Sequence, residues 1–368
     1  MSRQSQRPLS VAWRTILGRL GIFLIGVALV SSCASRPLRL DAAPWETALA
    51  TDHVALPAVF VKGRPYVDLS VNGHGPYRFL VDTGSVGTAI SQPVAKEAGI
   101  AASRKYWARV TGSSGQSEHQ PMGTVDHLEA PGFSLGTVDV SIISPQSAAL
   151  LDPPAKKFIG GIIGLSAFRN VRLEIDYAGK QVVVHRLDTE TPPAGAGIAY
   201  TGSRPTVSIA TPSTLHATTN AVIDTGSDSG FSLTDIGSYP LRVGLAKKDG
   251  YHHGVGGFWR PLFGQVAGDI RLGSAIWRDA MISSADENRI GGEALGSWRL
   301  VIDQQKKLLW LLHENQMETT TWTGPLDVDG RPAVYGFACI SEGDSFVIRE
   351  VDPGSRAERA GLKVGDRV

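Results

Sequence analysis

Phe79-Leu80-Val81-Asp82-Thr83-Gly84-Ser85 runs an apolar strand pattern into an acidic glycine turn, and Ala221-Val222-Ile223-Asp224-Thr225-Gly226-Ser227 does so again. At residue usage of roughly 5–7% per type, one chance Asp-Thr-Gly-Ser in a chain this long has odds of ~1%, and two copies odds on the order of 1 in 10,000. The repeat also extends beyond four residues. Ile162-Ile163-Gly164 through Leu173-Glu174-Ile175-Asp176 follows the first turn, and Ile290-Gly291 through Leu300-Val301-Ile302-Asp303 follows the second. Aligned without gaps, Gly164 falls on Gly291, Phe168 on Leu295, Val171 on Trp298, Leu173 on Leu300, Ile175 on Ile302 and Asp176 on Asp303. The turns lie 142 residues apart (224 minus 82) and the glycines 127 (291 minus 164), so the second unit is shorter between its landmarks. That length difference belongs in a loop, not a strand. A repeat of this extent reads as two homologous lobes, each supplying one aspartate.

The rest of the chain fits a turn-rich β protein. It has 368 residues, 42 of them glycine and 21 proline, enough for two to three domains. With 36 basic and 35 acidic residues, no electrostatic footprint for nucleic acid is present. The two cysteines, Cys33 and Cys339, support neither a disulfide framework nor a zinc site, and no metal or cofactor is expected. Tyr66-Val67-Asp68-Leu69-Ser70-Val71 alternates apolar and polar, Asn72-Gly73 with Gly75-Pro76 makes a turn, and Tyr77–Val81 returns to Asp82. Thr206-Val207-Ser208-Ile209 and Ala221-Val222-Ile223 repeat that plan before Asp224. The expected domains are a first lobe over 56–190, a second over 198–313, a polar linker over 314–331 and a C-terminal module over 332–368. Between the lobes, the Pro/Gly-rich segment near 188–197 reads as a connection.

Residues 1–32 read as an export signal. Arg3, Arg7, Arg14 and Arg19 precede an apolar run from Leu20 to Val30 that is shorter than a membrane span of ~20 residues. Leu29-Val30-Ser31-Ser32-Cys33 resembles the lipobox of bacterial lipoproteins, which implies acylation of Cys33 and a tether over 33–55. Ala34 in place of Asp then points to the outer membrane, facing the periplasm.

The two turns, each followed by a hydrophobic–hydrophobic–glycine segment, resemble those of the aspartic peptidases, most closely bacterial retropepsin-like proteins with both lobes in one chain. The resemblance covers roughly residues 56 to 313. It implies an all-β bilobal fold of the double-ψ, retropepsin-like type with the site between the lobes. It also implies Asp82 and Asp224 as the catalytic pair acting on a peptide or unfolded protein. Thr83 and Thr225 would lock the turns together, Gly84 and Gly226 would bring backbone N–H groups to the carboxylates, and Ser85 and Ser227 would bond the outer carboxylate oxygens. Both halves of the site lie in one chain, so a monomer suffices. The third carboxylate, Asp228, stands where the first lobe has Val86, and Arg289 occupies the first apolar slot of the second glycine segment. The family's flap would be a glycine-rich hairpin, with candidates at Gly112 and Gly115 in the first lobe and Gly254, Gly256 and Gly257 in the second.

Phe346–Val351 followed by Gly354–Asp366 resembles the first half of a PDZ domain, with Tyr335-Gly336-Phe337 in place of its carboxylate-binding loop. The chain as given ends at Val368, before the strand and helix that complete such a groove, so no competent peptide groove is expected in it. Two functions follow: an envelope-anchored aspartic endopeptidase, or a catalytically inactive peptide-binding lipoprotein on the same fold. A serine hydrolase built on Gly343-Asp344-Ser345 lacks a partner histidine.

Overall fold

The two repeats meet along a seam that their own sequence symmetry dictates. Strand Arg172–Asp176 pairs antiparallel with Arg299–Asp303 so that Glu174 faces Val301, and Leu173 and Ile175 face Ile302 and Leu300. Glu174 and Val301 are repeat equivalents, since 174 plus 127 is 301. A pseudo-two-fold axis therefore passes between them, as in an isologous dimer interface within one chain. The computed structural model describes residues 36–112, 117–144, 159–188, 192–249, 251–254, 257–313, 316–319, 326–327, 330–342 and 345–367. Residues 37–368 form one compact unit. The proposed export signal and Cys33 lie outside the described residues.

The protein is all-β, with fourteen strands in one sheet and ten in another. In the first repeat, strands Arg64–Val71 and His74–Asp82 form an antiparallel hairpin whose turn residues Asn72 and Gly73 both have positive φ, +48° and +79°. That conformation matches the twist of the flanking strands. The return strand begins at His74, so Gly75 and Pro76 belong to it and not to the turn. Ile159–Gly164 then lies parallel to it, with Val81 beside Ile163 and Asp82 beside Gly164. Contact of Ser70 and Val71 with Glu129 and Leu128 closes six strands of this sheet into a barrel.

The second repeat builds the same local arrangement. Thr206–Ala210 pairs with Thr218–Ile223, and Arg289–Ile290 lies parallel to the latter, with Ile223 beside Ile290. Both glycines of the repeat are sterically required. A methyl at Gly164 would overlap the carbonyl oxygen of Gly87, and one at Gly291 would overlap that of Ser229. A side chain at either place would push the turn away from its parallel neighbour. One apolar core spans both repeats, from Val81, Ile163 and Phe168 to Phe231, Trp277 and Trp298. That continuity is what holds the two turns in fixed relation.

Part of the segment read as a linker is ordered sheet. Met317–Thr319 pairs parallel with Ala275–Arg278 at the edge of the second sheet. Further on, Phe337–Glu342 and Ser345–Val351 form a separate antiparallel hairpin. It is followed by a one-turn helix, Arg356–Arg359, whose N-cap Ser355 accepts from the Glu358 N–H.

Candidate active site

Thr83 and Thr225 hold the two turns together through a reciprocal, buried set of hydrogen bonds. The Thr83 hydroxyl donates to the Ile223 carbonyl at 2.6 Å and accepts from the Thr225 N–H at 3.2 Å. The Thr225 hydroxyl donates to the Val81 carbonyl at 2.7 Å and accepts from the Thr83 N–H at 3.1 Å. Each threonine therefore satisfies two backbone groups of the other repeat. Thr83→Val keeps the shape but orphans a buried N–H and a buried carbonyl, at roughly 1–3 kcal/mol each. It is expected to lower the denaturation midpoint clearly, and an unchanged urea midpoint would show that the threonine lock contributes nothing.

The carboxyl groups are brought together by the absence of side chains beneath them. A methyl at Gly84 would lie 2.5 Å from the Asp224 carboxyl carbon, and one at Gly226 the same distance from that of Asp82. Each glycine thus leaves room for the opposite aspartate. The surroundings of the two carboxyls differ. Asp82 Oδ1 accepts from the N–H groups of Gly84 at 2.8 Å and Ser85 at 3.1 Å, and Oδ2 accepts from the Ser85 hydroxyl at 2.8 Å. Asp224 Oδ1 accepts from the Gly226 N–H at 3.0 Å.

Ser227 does not take the role that the family resemblance assigns to it. Its hydroxyl pairs with that of Ser229 at 2.7 Å, and Ser229 continues to Ser232 at 2.8 Å. Ser229, two residues on, offers a better-placed partner than the carboxylate. In place of a hydroxyl, the Arg289 guanidinium approaches Asp224 Oδ2, with Nε at 3.6 Å. Arg289 is buried and also pairs with Asp286 at 3.4 Å and Glu287 at 3.1 Å. Glu287 is gripped in turn by both terminal guanidinium nitrogens of Arg204. The cleft therefore holds a chain of alternating charge, from the aspartates through Arg289 and Glu287 to Arg204.

In the sequence, Arg289 stands out only as a poor match to an apolar slot. The signal that could have found it was there, because a charge in a buried strand needs a partner. Burial, then the neighbouring Asp82 carboxylate, push Asp224 up to about 7, against the downward pull of Arg289. Two carboxyls held this close titrate as a pair, and the donors to Asp82 outnumber those to Asp224.

The aspartates lie in a cleft of about 1670 Å³. That exceeds the ~300–1,000 Å³ of small-molecule pockets. Hairpins from both repeats border it. Trp107–Thr111 pairs with Ser117–Pro121, and Val110, Thr111 and Gly112 line the cleft, while Gly115 lies outside the described residues. In the second repeat, His252–Gly254 pairs with Gly257–Trp259, with Gly254 opposite Gly257. Gly256 lies outside the described residues, and Tyr251, just before that hairpin, and Trp259, its last residue, line the cleft. Asp228 lines it too.

A search of curated proteins finds no match to the chain. Residues 67–167, which carry the Asp82 turn, its parallel partner strand and Gly164, match the family model described as aspartyl protease.

Proposed function

We propose that this protein is an aspartic endopeptidase in which Asp82 and Asp224 activate a water molecule between them. The observation that carries this reading is the reciprocal threonine lock, which fixes two carboxyl groups against each other at the floor of a polypeptide-sized cleft. Asp82, with three donors on its carboxylate, takes a proton from the water as its oxygen attacks the peptide carbonyl carbon. Asp224, holding the shared proton, donates it toward the carbonyl oxygen, and a gem-diol forms. Proton transfer to the amide nitrogen then breaks the C–N bond, with no covalent enzyme intermediate. The family match to the first repeat and the internal repeat together support this assignment.

The same proposal places the chain at the bacterial envelope through an acylated Cys33, with the C-terminal module acting as a PDZ-like aid to substrate or partner binding. Cleavage of an unfolded protein by the purified chain, blocked by a statine-type peptide, is the expected result. Absence of cleavage at every pH from acid to neutral would overturn it.

One observation favours a second reading. Arg289 beside Asp224 partly neutralises the pair, as a peptide-binding protein with no hydrolytic role would tolerate. Binding of the statine-type peptide without any cleavage would select that alternative.

A further inference from the structure

The C-terminal hairpin is tied to the second repeat's cleft-side hairpin by buried charge. Arg260, just after the Gly257–Trp259 strand, has a side chain only 2% exposed and grips Asp352 with two hydrogen bonds of 2.7 and 2.8 Å. It also reaches Glu350 Oε1 at 3.2 Å, and Lys247 pairs with the same oxygen. Asp249 accepts from the backbone N–H groups of Tyr335 and Gly336, both at 2.7 Å. A buried guanidinium is retained only where its partners are in place, so this is a fixed junction and not a loose tether. Three residues of the C-terminal hairpin consequently reach the same cleft as the aspartates: Cys339, Ile340 and Phe346. Phe346 is 53% exposed, whereas its strand neighbours Val347 and Ile348 are buried in the module itself. A lone exposed phenylalanine needs no explanation, but one at the rim of a polypeptide-sized cleft meets the substrate's path.

We propose that the hairpin Phe337–Glu342 and Ser345–Val351 is one wall of the substrate cleft. Phe346, with Cys339 on the same face of the hairpin, forms an apolar subsite there for a side chain of the extended polypeptide, away from the bond being cut. The C-terminal module thus selects substrate inside the cleft, beside any recruitment it performs elsewhere. The inference rests on the endopeptidase reading, because it takes an extended polypeptide as the occupant. Remote contacts of this kind raise specificity by binding the substrate beyond its reacting bond.

The test uses the full chain and two fluorescein-labelled statine-type peptides. One covers only the residues next to the statine, and the other is extended at both ends by leucines. Phe346→Ala, an exposed position whose truncation spares the core, is expected to lower the ratio of long-probe to short-probe affinity by about 10-fold. Phe346→Leu should restore most of that ratio. Arg260→Ala should lower it as Phe346→Ala does, by releasing the wall from its anchor. A ratio unchanged in Phe346→Ala, or equal affinity of the wild type for both probes, overturns the wall while leaving the endopeptidase reading standing. A wild type that binds neither probe overturns that reading and the wall with it.

Discussion

Peptide hydrolysis is expected to fall by at least about 10³-fold in Asp82→Asn and in Asp224→Asn alike. In the proposed mechanism neither carboxyl can do the other's work. One must accept a proton from water while the other holds one for the carbonyl oxygen, and an amide can do neither. The two losses should also be non-additive, because groups acting as a unit fail together. A single variant at wild-type rate would show that the two-aspartate mechanism is wrong here.

A second readout separates lost chemistry from lost structure. Asp224 is raised from 3.8 to about 7 in the fold, first by burial and then by Asp82. Between those values the folded chain holds a proton that the unfolded chain has released. Stability therefore falls as pH rises through this window, since the native state is the one that binds more protons. The amide that replaces the carboxyl in Asp224→Asn does not titrate. This variant is thus expected to be inactive yet at least as stable as wild type near pH 7, with a flatter dependence of urea midpoint on pH. A variant that is inactive and also unstable at neutral pH would contradict this account.

Much of this arrangement is legible in the sequence because it is built from short, repeated pieces. The doubled turn exposes the aspartates, and the ungapped alignment of Leu173–Asp176 on Leu300–Asp303 marks equivalent segments, whose pairing about a two-fold axis appears only in the fold. The Asn72-Gly73 hairpin is readable because its positive φ angles select those residue types. What stays hidden depends on choices made only after the chain has folded. Ser227 has the right identity for a carboxylate partner, yet its hydroxyl rotates to Ser229, and no spacing rule foretells that. The junction between Arg260 and Asp352 joins residues 92 apart in loops of no periodicity. A charge is visible in a sequence, but its partner is not, unless the two share a helix turn or a strand register.

Replacing Arg289 is expected to move the alkaline limb of the pH–rate profile upward. The proposed mechanism needs the pair singly protonated, so activity should fall as pH rises through about 7, where the shared proton leaves. The Arg289 guanidinium, 3.6 Å from Asp224 Oδ2, favours the ionised form and so holds that limb lower than burial and Asp82 alone would set it. Arg289→Met keeps a long, unbranched chain in the buried slot while removing the cation. An opposite charge at such a distance shifts a carboxyl by about 1–3 units, so the limb should rise by that order. Glu287 keeps Arg204 as a partner in this variant, which limits the damage to the fold. Arg289→Lys should leave the limb near its wild-type position, because charge and not hydrogen-bond geometry is what acts on Asp224. The opposite result is equally informative: a limb that stays put in Arg289→Met would mean that the guanidinium's charge is spent on Asp286 and Glu287, leaving burial and Asp82 to set the protonation of the pair.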